Sequence, residues 1–127
     1  MIYADSNVII HLTEDRGPIG DGIRRRFEQV GHDIVISPLV MMECKVKPLR
    51  EDDHLQVKRF DQLFATLPVL DIPRAVYEDA AVIRARHGLQ TMDAIHLATA
   101  QFHLCVAFWT RDLRLKVAAG GMAIETF

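Results

Sequence analysis

The stretch Ile2-Tyr3-Ala4-Asp5-Ser6-Asn7-Val8-Ile9-Ile10-His11-Leu12 decides how the rest of the chain is read. Ile2 to Ala4 is a short apolar run with strand-forming side chains, and Ser6 to Leu12 starts a helix. A carboxylate, Asp5, stands at the junction. A strand that passes directly into a helix is the opening unit of an α/β fold.

The pattern repeats outward from there. Asp21 is predicted to cap a helix bearing Ile23, Phe27 and Val30, stopped by Gly31. Asp33 to Ser37 reads as a strand, and Ser37-Pro38 as the cap and first turn of a helix through about Lys45. Asp53 to Leu67 reads as a helix with Leu55, Phe60, Leu63, Phe64 and Leu67 as its buried stripe. Pro68 to Ile72 is a predicted strand. Pro73 then opens a helix with Val76, Ala80, Ile83 and His87 on one side, closed by Gly88. Thr91 is expected to cap Met92 to His103. Leu104 to Trp109 is the most apolar strand, followed by a short helix near Leu113 to Ala119 and a last alternating piece, Met122 to Thr126. This alternation predicts a single three-layer α/β/α domain over residues 1–127, with a mainly parallel central sheet. Right-handed crossovers put the carboxyl ends of such strands at one edge, where these folds bind ligands.

The chain has 127 residues, half of them apolar, with 15 Lys and Arg against 17 Asp and Glu. A formal charge of -2 excludes a histone-like polybasic binder. Cys44 and Cys105 both lie in apolar stretches and read as buried free thiols of a reducing compartment. No Cys/His spacing suggests zinc. No leader is read before Asp5, and the longest apolar run, Leu104 to Trp109, falls far short of the roughly 20 residues that span a bilayer. The expectation is a cytoplasmic protein with no membrane partner.

Most of the acids sit in polar runs, turns or helix caps. Four do not. Asp5 and Asp112 each follow a strand; Glu43 interrupts the apolar Leu39-Val40-Met41-Met42-Glu43-Cys44; Asp93 opens the helix Ala94-Ile95-His96-Leu97-Ala98. Each has an ordinary explanation by itself, as cap, polar face or first-turn partner of the helix dipole. Together they converge on the edge where the strands end. Crowded carboxylates repel and resist ionisation, which a divalent cation relieves. All-oxygen ligands select Mg²⁺ or Mn²⁺, and the chemistry such a site suggests is hydrolysis of a phosphodiester.

At these residues the chain resembles the PIN-domain ribonucleases, most closely the VapC-type toxins of toxin–antitoxin pairs. The resemblance spans essentially the whole chain. It rests on Tyr3-Ala4-Asp5-Ser6-Asn7, Ser37-Pro38-Leu39-Val40-Met41-Met42-Glu43, Met92-Asp93-Ala94-Ile95-His96-Leu97-Ala98-Thr99-Ala100 and Thr110-Arg111-Asp112. It implies a catalytic quartet of Asp5, Glu43, Asp93 and Asp112. Asp5, Asp93 and Asp112 would hold Mg²⁺ or Mn²⁺ directly or through water, with Glu43 acting through a second metal or a water. Ser6, Asn7 and Thr110 match small polar positions that orient ligands and waters. The family further implies cleavage of RNA by metal-activated water, inhibition by a small antitoxin protein, and a homodimer.

One departure is visible. Where relatives often carry a second acid and an aromatic, this chain has Leu113-Arg114-Leu115-Lys116. His96 also matches a frequent family position, and is expected to pack beside the site without a catalytic role.

With an acidic balance, RNA contact must come from local bases. Arg24-Arg25-Arg26, Lys45, Lys47, Arg111, Arg114 and Lys116 are candidates. Arg111 and Arg114 flank the site in sequence, whereas the arginine triplet reads as a solvated helix face. Two rival readings stand beside the nuclease: a PIN-fold binding module without activity, and a receiver-type phosphoacceptor domain using Asp71. The receiver fits poorly, because Asp5 is followed by Ser6-Asn7 rather than a second acid, and Arg111-Asp112 stands where the Lys after the last main strand should be.

Overall fold

Ile2–Ala4 forms β1, a three-residue strand with every side chain buried, and it is paired on both sides. In the computed structural model, which describes residues 1–127, the chain runs through α1 (Ser6–Glu14), α2 (Pro18–Val30), β2 (Ile34–Val35), α3 (Pro38–Arg50), α4 (His54–Phe64), α5 (Arg74–His87), α6 (Thr91–Phe102), β3 (Ala107–Thr110) and β4 (Ala123–Thr126). Short 3₁₀ turns at Gly31–Asp33 and Leu113–Ala118 complete it. The strands lie in the order β2-β1-β3-β4 and every pairing is parallel. The predicted mainly parallel α/β/α architecture is what is observed. Helices α1 to α4 pack among themselves and α5 packs on α6, while one contiguous apolar core joins both groups to the sheet.

The boundaries depart from expectation where local chemistry intervenes. The second helix starts at Pro18, with Gly17 as its cap, so Asp21 lies in its first turn and binds Arg24 at 2.6 Å instead of capping. α3 continues past Lys45 to Arg50 with Pro48 inside it; the proline gives no N–H to the Cys44 carbonyl, and the helix ends two residues later. The strand expected at 68–72 shrinks to a single bridge between Ile36 and Val69. Ile36 N–H donates to the Pro68 carbonyl (3.1 Å) and Leu70 N–H to the Ile36 carbonyl (2.8 Å), and the proline at its start allows no more.

β3 begins at Ala107 rather than Leu104. Leu104 adopts φ +58° and Cys105 N–H still closes onto the Ala100 carbonyl at 3.0 Å, so no extended pairing can start there. Leu55 and His87, assigned to buried stripes, are exposed. The α4 stripe is carried by Phe60 and Phe64, whose rings stack 5.8 Å apart. Gln90, not Thr91, occupies the cap position of α6. Cys44 and Cys105 are buried free thiols, as expected.

Gly88 ends α5 in the left-handed conformation at φ +67°, its N–H bound to the Arg84 carbonyl at 2.9 Å. A Cβ there would meet nothing within 4 Å, so its only cost is conformational. Gly88→Ala is expected to destabilise the fold by about 1 kcal/mol, read as a lower urea midpoint with an unchanged m-value. An unchanged midpoint would refute this.

Candidate active site

The carboxyl ends of β1 and β3 set the position of two of the four acids. The β1–β3 ladder continues one step beyond β1, with Asp5 N–H donating to the Trp109 carbonyl at 3.1 Å. Asp5 is thus fixed by backbone before its side chain does anything. Its Oδ1 accepts the Val8 N–H at 3.1 Å and caps α1. Asp112 follows β3, caps the 3₁₀ turn through Arg114 N–H at 3.0 Å, and is held by Thr110, whose Oγ1 accepts the Asp112 N–H at 3.0 Å. The ordinary capping roles of both residues are therefore real. They do not exhaust the residues' surroundings.

Asp5 is buried. Desolvation raises its pKa, with the Thr110 hydroxyl and Val8 amide opposing that rise and the charge of Asp93 adding to it. Asp93, in the first turn of α6, is raised by burial and then by Asp112, with Glu43 contributing in the same direction. Asp5 thus feels the charge of Asp93, and Asp93 the charges of Asp112 and Glu43. Asp112 behaves oppositely. Arg114 holds its carboxyl below the ordinary range, donating Nε to Oδ1 (2.9 Å) and Oδ2 (3.0 Å) and Nη2 to Oδ2 (2.6 Å). Asp93, Asp112 and Arg114 line one cavity of about 310 Å³, closed by Gly88, Gln90 and Val117.

Glu43 overturns its ordinary reading, while His96 packs beside the site as expected. Glu43 lies not on a solvated face but against Ser6, whose Oγ donates to Oε1 at 3.2 Å, and against His96 Nε2, in short contact with the same oxygen. His96 is buried, and its Nδ1 meets the Tyr3 hydroxyl at 2.7 Å. Tyr3 also reaches Ser37 Oγ at 2.7 Å. Ser37 therefore makes no side-chain cap for α3. Tyr3 and Ser37 were missed as site residues because each had a sufficient local explanation, as strand core and as helix cap.

The other candidates divide. Asn7 is exposed. Arg111 turns one terminal nitrogen into the interior, where it has no hydrogen-bond partner, while Arg114 is exposed on the cavity. Arg24 and Arg26 pair with Asp21 and Glu125, and Lys45 with Asp61, as a solvated or structural surface requires. Asp71 is exposed in the segment after the Val69 bridge, its carbonyl accepting His103 Nε2 at 2.8 Å. His103 closes the end of α6 opposite Asp93, roughly 15 Å along the helix, which separates Asp71 from the four acids.

As to metal, no three His, Cys, Asp or Glu side chains are close enough together to hold an ion by themselves. The donors at this edge are carboxylate oxygens, with Asp5 and Asp93 raised by burial and, less strongly, by neighbouring carboxylates. Such a set suits a hard cation that retains several waters, Mg²⁺ or Mn²⁺. Asp112 would have to exchange Arg114 for the ion.

The sequence matches the PIN domain family over residues 2–121. This chain belongs to the PIN-domain family. Among solved structures, the PIN domain resembles a toxin–antitoxin complex from Klebsiella pneumoniae, 26% identical over 99% of this chain and 97% of that one, TM-score 0.79. VapBC2 from Rickettsia felis bound to a DNA fragment from their promoter shares its fold at 14% identity, covering 100% of this chain and 99% of that one, TM-score 0.82. VapC20 of Mycobacterium tuberculosis, a Sarcin-Ricin loop cleaving toxin, does so at 15% identity, covering 93% and 95%, TM-score 0.79. Curated proteins returned no match. No helix is long and apolar enough to cross a membrane.

Two outcomes follow for the PIN domain. Arg114→Ala should return the Asp112 carboxyl upward toward the ordinary aspartate pKa, measured by carboxyl NMR titration; no upward movement would show that Arg114 is not its cause. Asp5 has the opposite sign. Its pKa in the folded protein lies above the unfolded value, so its burial is harmless at acid pH and increasingly destabilising as pH rises through the folded pKa. Asp5→Asn keeps the cap acceptor and removes the charge. The metal-free variant should melt higher than wild type at pH 7, with the difference vanishing at acid pH. A lower melting temperature at pH 7 would contradict this.

Proposed function

We propose that this PIN domain is a Mg²⁺- or Mn²⁺-dependent endoribonuclease, the toxin of a toxin–antitoxin pair, acting on single-stranded or structured RNA in the cytoplasm. The observation that carries the reading is the gathering of Asp5, Asp93 and Asp112 at the carboxyl edge of a parallel sheet, with Asp5 and Asp93 both raised, by burial first and by neighbouring carboxylates after it. An isolated cap needs none of this crowding. The toxin–antitoxin relatives and the RNA-cleaving VapC20 support the same reading.

Asp5, Asp93 and Asp112 would hold the ion. A bound divalent cation supplies a Lewis acid for the phosphoryl oxygens and lowers the pKa of a water. Glu43, steadied on Oε1 by Ser6 and His96, orients the water that attacks. Ser6, Asn7 and Thr110 hold ligands and waters around the acids. Arg114, exposed on the cavity wall, releases Asp112 and turns to a substrate phosphate. Arg111 reaches RNA by turning its inward guanidinium out, since that nitrogen lacks an acceptor where it is. Its partners are a small antitoxin that covers the site and a second copy of the chain. Exposed Met42, Val46 and Leu49 at helical spacing on α3 favour a protein partner on that face.

The test incubates purified protein with single-stranded RNA, with and without Mg²⁺ or Mn²⁺. Cleavage should require the metal, stop with a chelator, and fall by about 100-fold or more in Asp5→Ala or Asp93→Ala. Equal cleavage by those variants would identify a contaminating nuclease. Absence of cleavage after any co-purified inhibitor is removed would favour a binding module.

A further inference from the structure

The chain Ser37–Tyr3–His96–Glu43 crosses from the floor of the core to the acids, and its hydrogens can be placed from the partners alone. Glu43 as a carboxylate only accepts, so His96 Nε2 must carry a hydrogen. At the other end, Ser37 is fully buried and Tyr3 is the sole side-chain partner of its hydroxyl. If Tyr3 donated to Ser37, the Ser37 hydrogen would have no acceptor in a buried place, which native structures avoid. The remaining arrangement runs one way. Ser37 O–H donates to Tyr3, Tyr3 O–H donates to His96 Nδ1, and His96 Nε2–H donates to Glu43. Burial opposes ionisation of Tyr3, so its hydroxyl keeps the proton that this direction needs.

We infer that Ser37, Tyr3 and His96 form a positioning relay that locks His96 in the Nε2–H tautomer and thereby fixes Glu43. The consequence lies in which oxygen is engaged. His96 and Ser6 both hold Oε1, so the carboxylate is fixed from one side and Oε2 is kept for the reaction. The buried polar chain is not needed for packing: a phenyl ring at residue 3 would stack on Phe108 as Tyr3 does, with centroids 5.2 Å apart. Its role for Glu43 rests on the nuclease reading above, whereas its hydrogen-bond polarity does not.

The two are tested separately. In ¹⁵N NMR of the wild-type protein, His96 Nδ1 should appear unprotonated and hydrogen-bonded, and Nε2 protonated. In Tyr3→Phe the Nδ1 resonance should move to that of a nitrogen without a donor. On RNA with Mn²⁺, His96→Leu should lower kcat by about 10- to 100-fold with KM little changed, and Tyr3→Phe should lower it less. His96→Gln, which keeps a donor near the Nε2 position, should recover part of the loss. A protonated Nδ1 in the wild-type protein would overturn the relay, as would wild-type kcat in folded Tyr3→Phe and His96→Leu. If the wild-type protein cleaves no RNA, the nuclease reading falls and the NMR result alone decides the relay.

Discussion

The pairing of β1 with β3 governs the site more than any side chain does, because it brings residues about a hundred positions apart into register and carries the ladder on to Asp5. Everything at the carboxyl edge is placed relative to that junction. α1 starts there, capped by Asp5, and the turn after β3 delivers Asp112. The α6 first turn sets Asp93 alongside. The helices do not need four acids at this edge for their own stability, since two caps and one dipole partner account for three of them. What distinguishes the arrangement is that the acids remain within each other's fields after those roles are filled. Their repulsion is a cost the fold carries without an ion, offset locally by Thr110, Val8 and Arg114.

The architecture was legible because it depends on periodicity and on where polar residues interrupt it. Asp5 between an apolar strand and an amphipathic helix states the unit directly, and Gly88 marks a helix end because glycine enters the left-handed conformation at little cost. Where a local signal was overruled, the overruling contact is in one case distant in sequence and in another close by. Ser37 and Pro38 read as a cap and first turn, yet the serine hydroxyl bonds to Tyr3 across the sheet. Leu104 reads as the start of a strand, yet the last turn of α6 still claims the chain there. His96 could not be assigned from sequence because its partners come from β1 and α3, and nothing in the spacing of either points to α6. The four acids could be read because repulsion between charges, unlike a hydrogen bond, needs only proximity to the same edge.

The overall charge also reads differently once the acids are divided. A formal -2 argues against a polyanion partner only if every carboxylate faces it as surface charge. Those of Asp5, Asp93 and Glu43 are partly or wholly withdrawn from solvent, and that of Asp112 is paired with Arg114. Two of the three arginines of α2, Arg24 and Arg26, are likewise committed, to Asp21 and Glu125. On the proposed reading, long-range attraction to RNA is weak, and selection among RNAs would come from fit at the site rather than from field.

The central strand has a consequence for the order in which the molecule can be made. β1 is made long before its partner β3, so the contact that organises the sheet closes a loop of about a hundred residues. Folding dominated by such closures is slow and late. A chain interrupted before β3 has Asp5 and Glu43 but neither Asp112 nor the ladder that fixes Asp5. The carboxylate edge therefore forms only once β3 and the turn after it are in place.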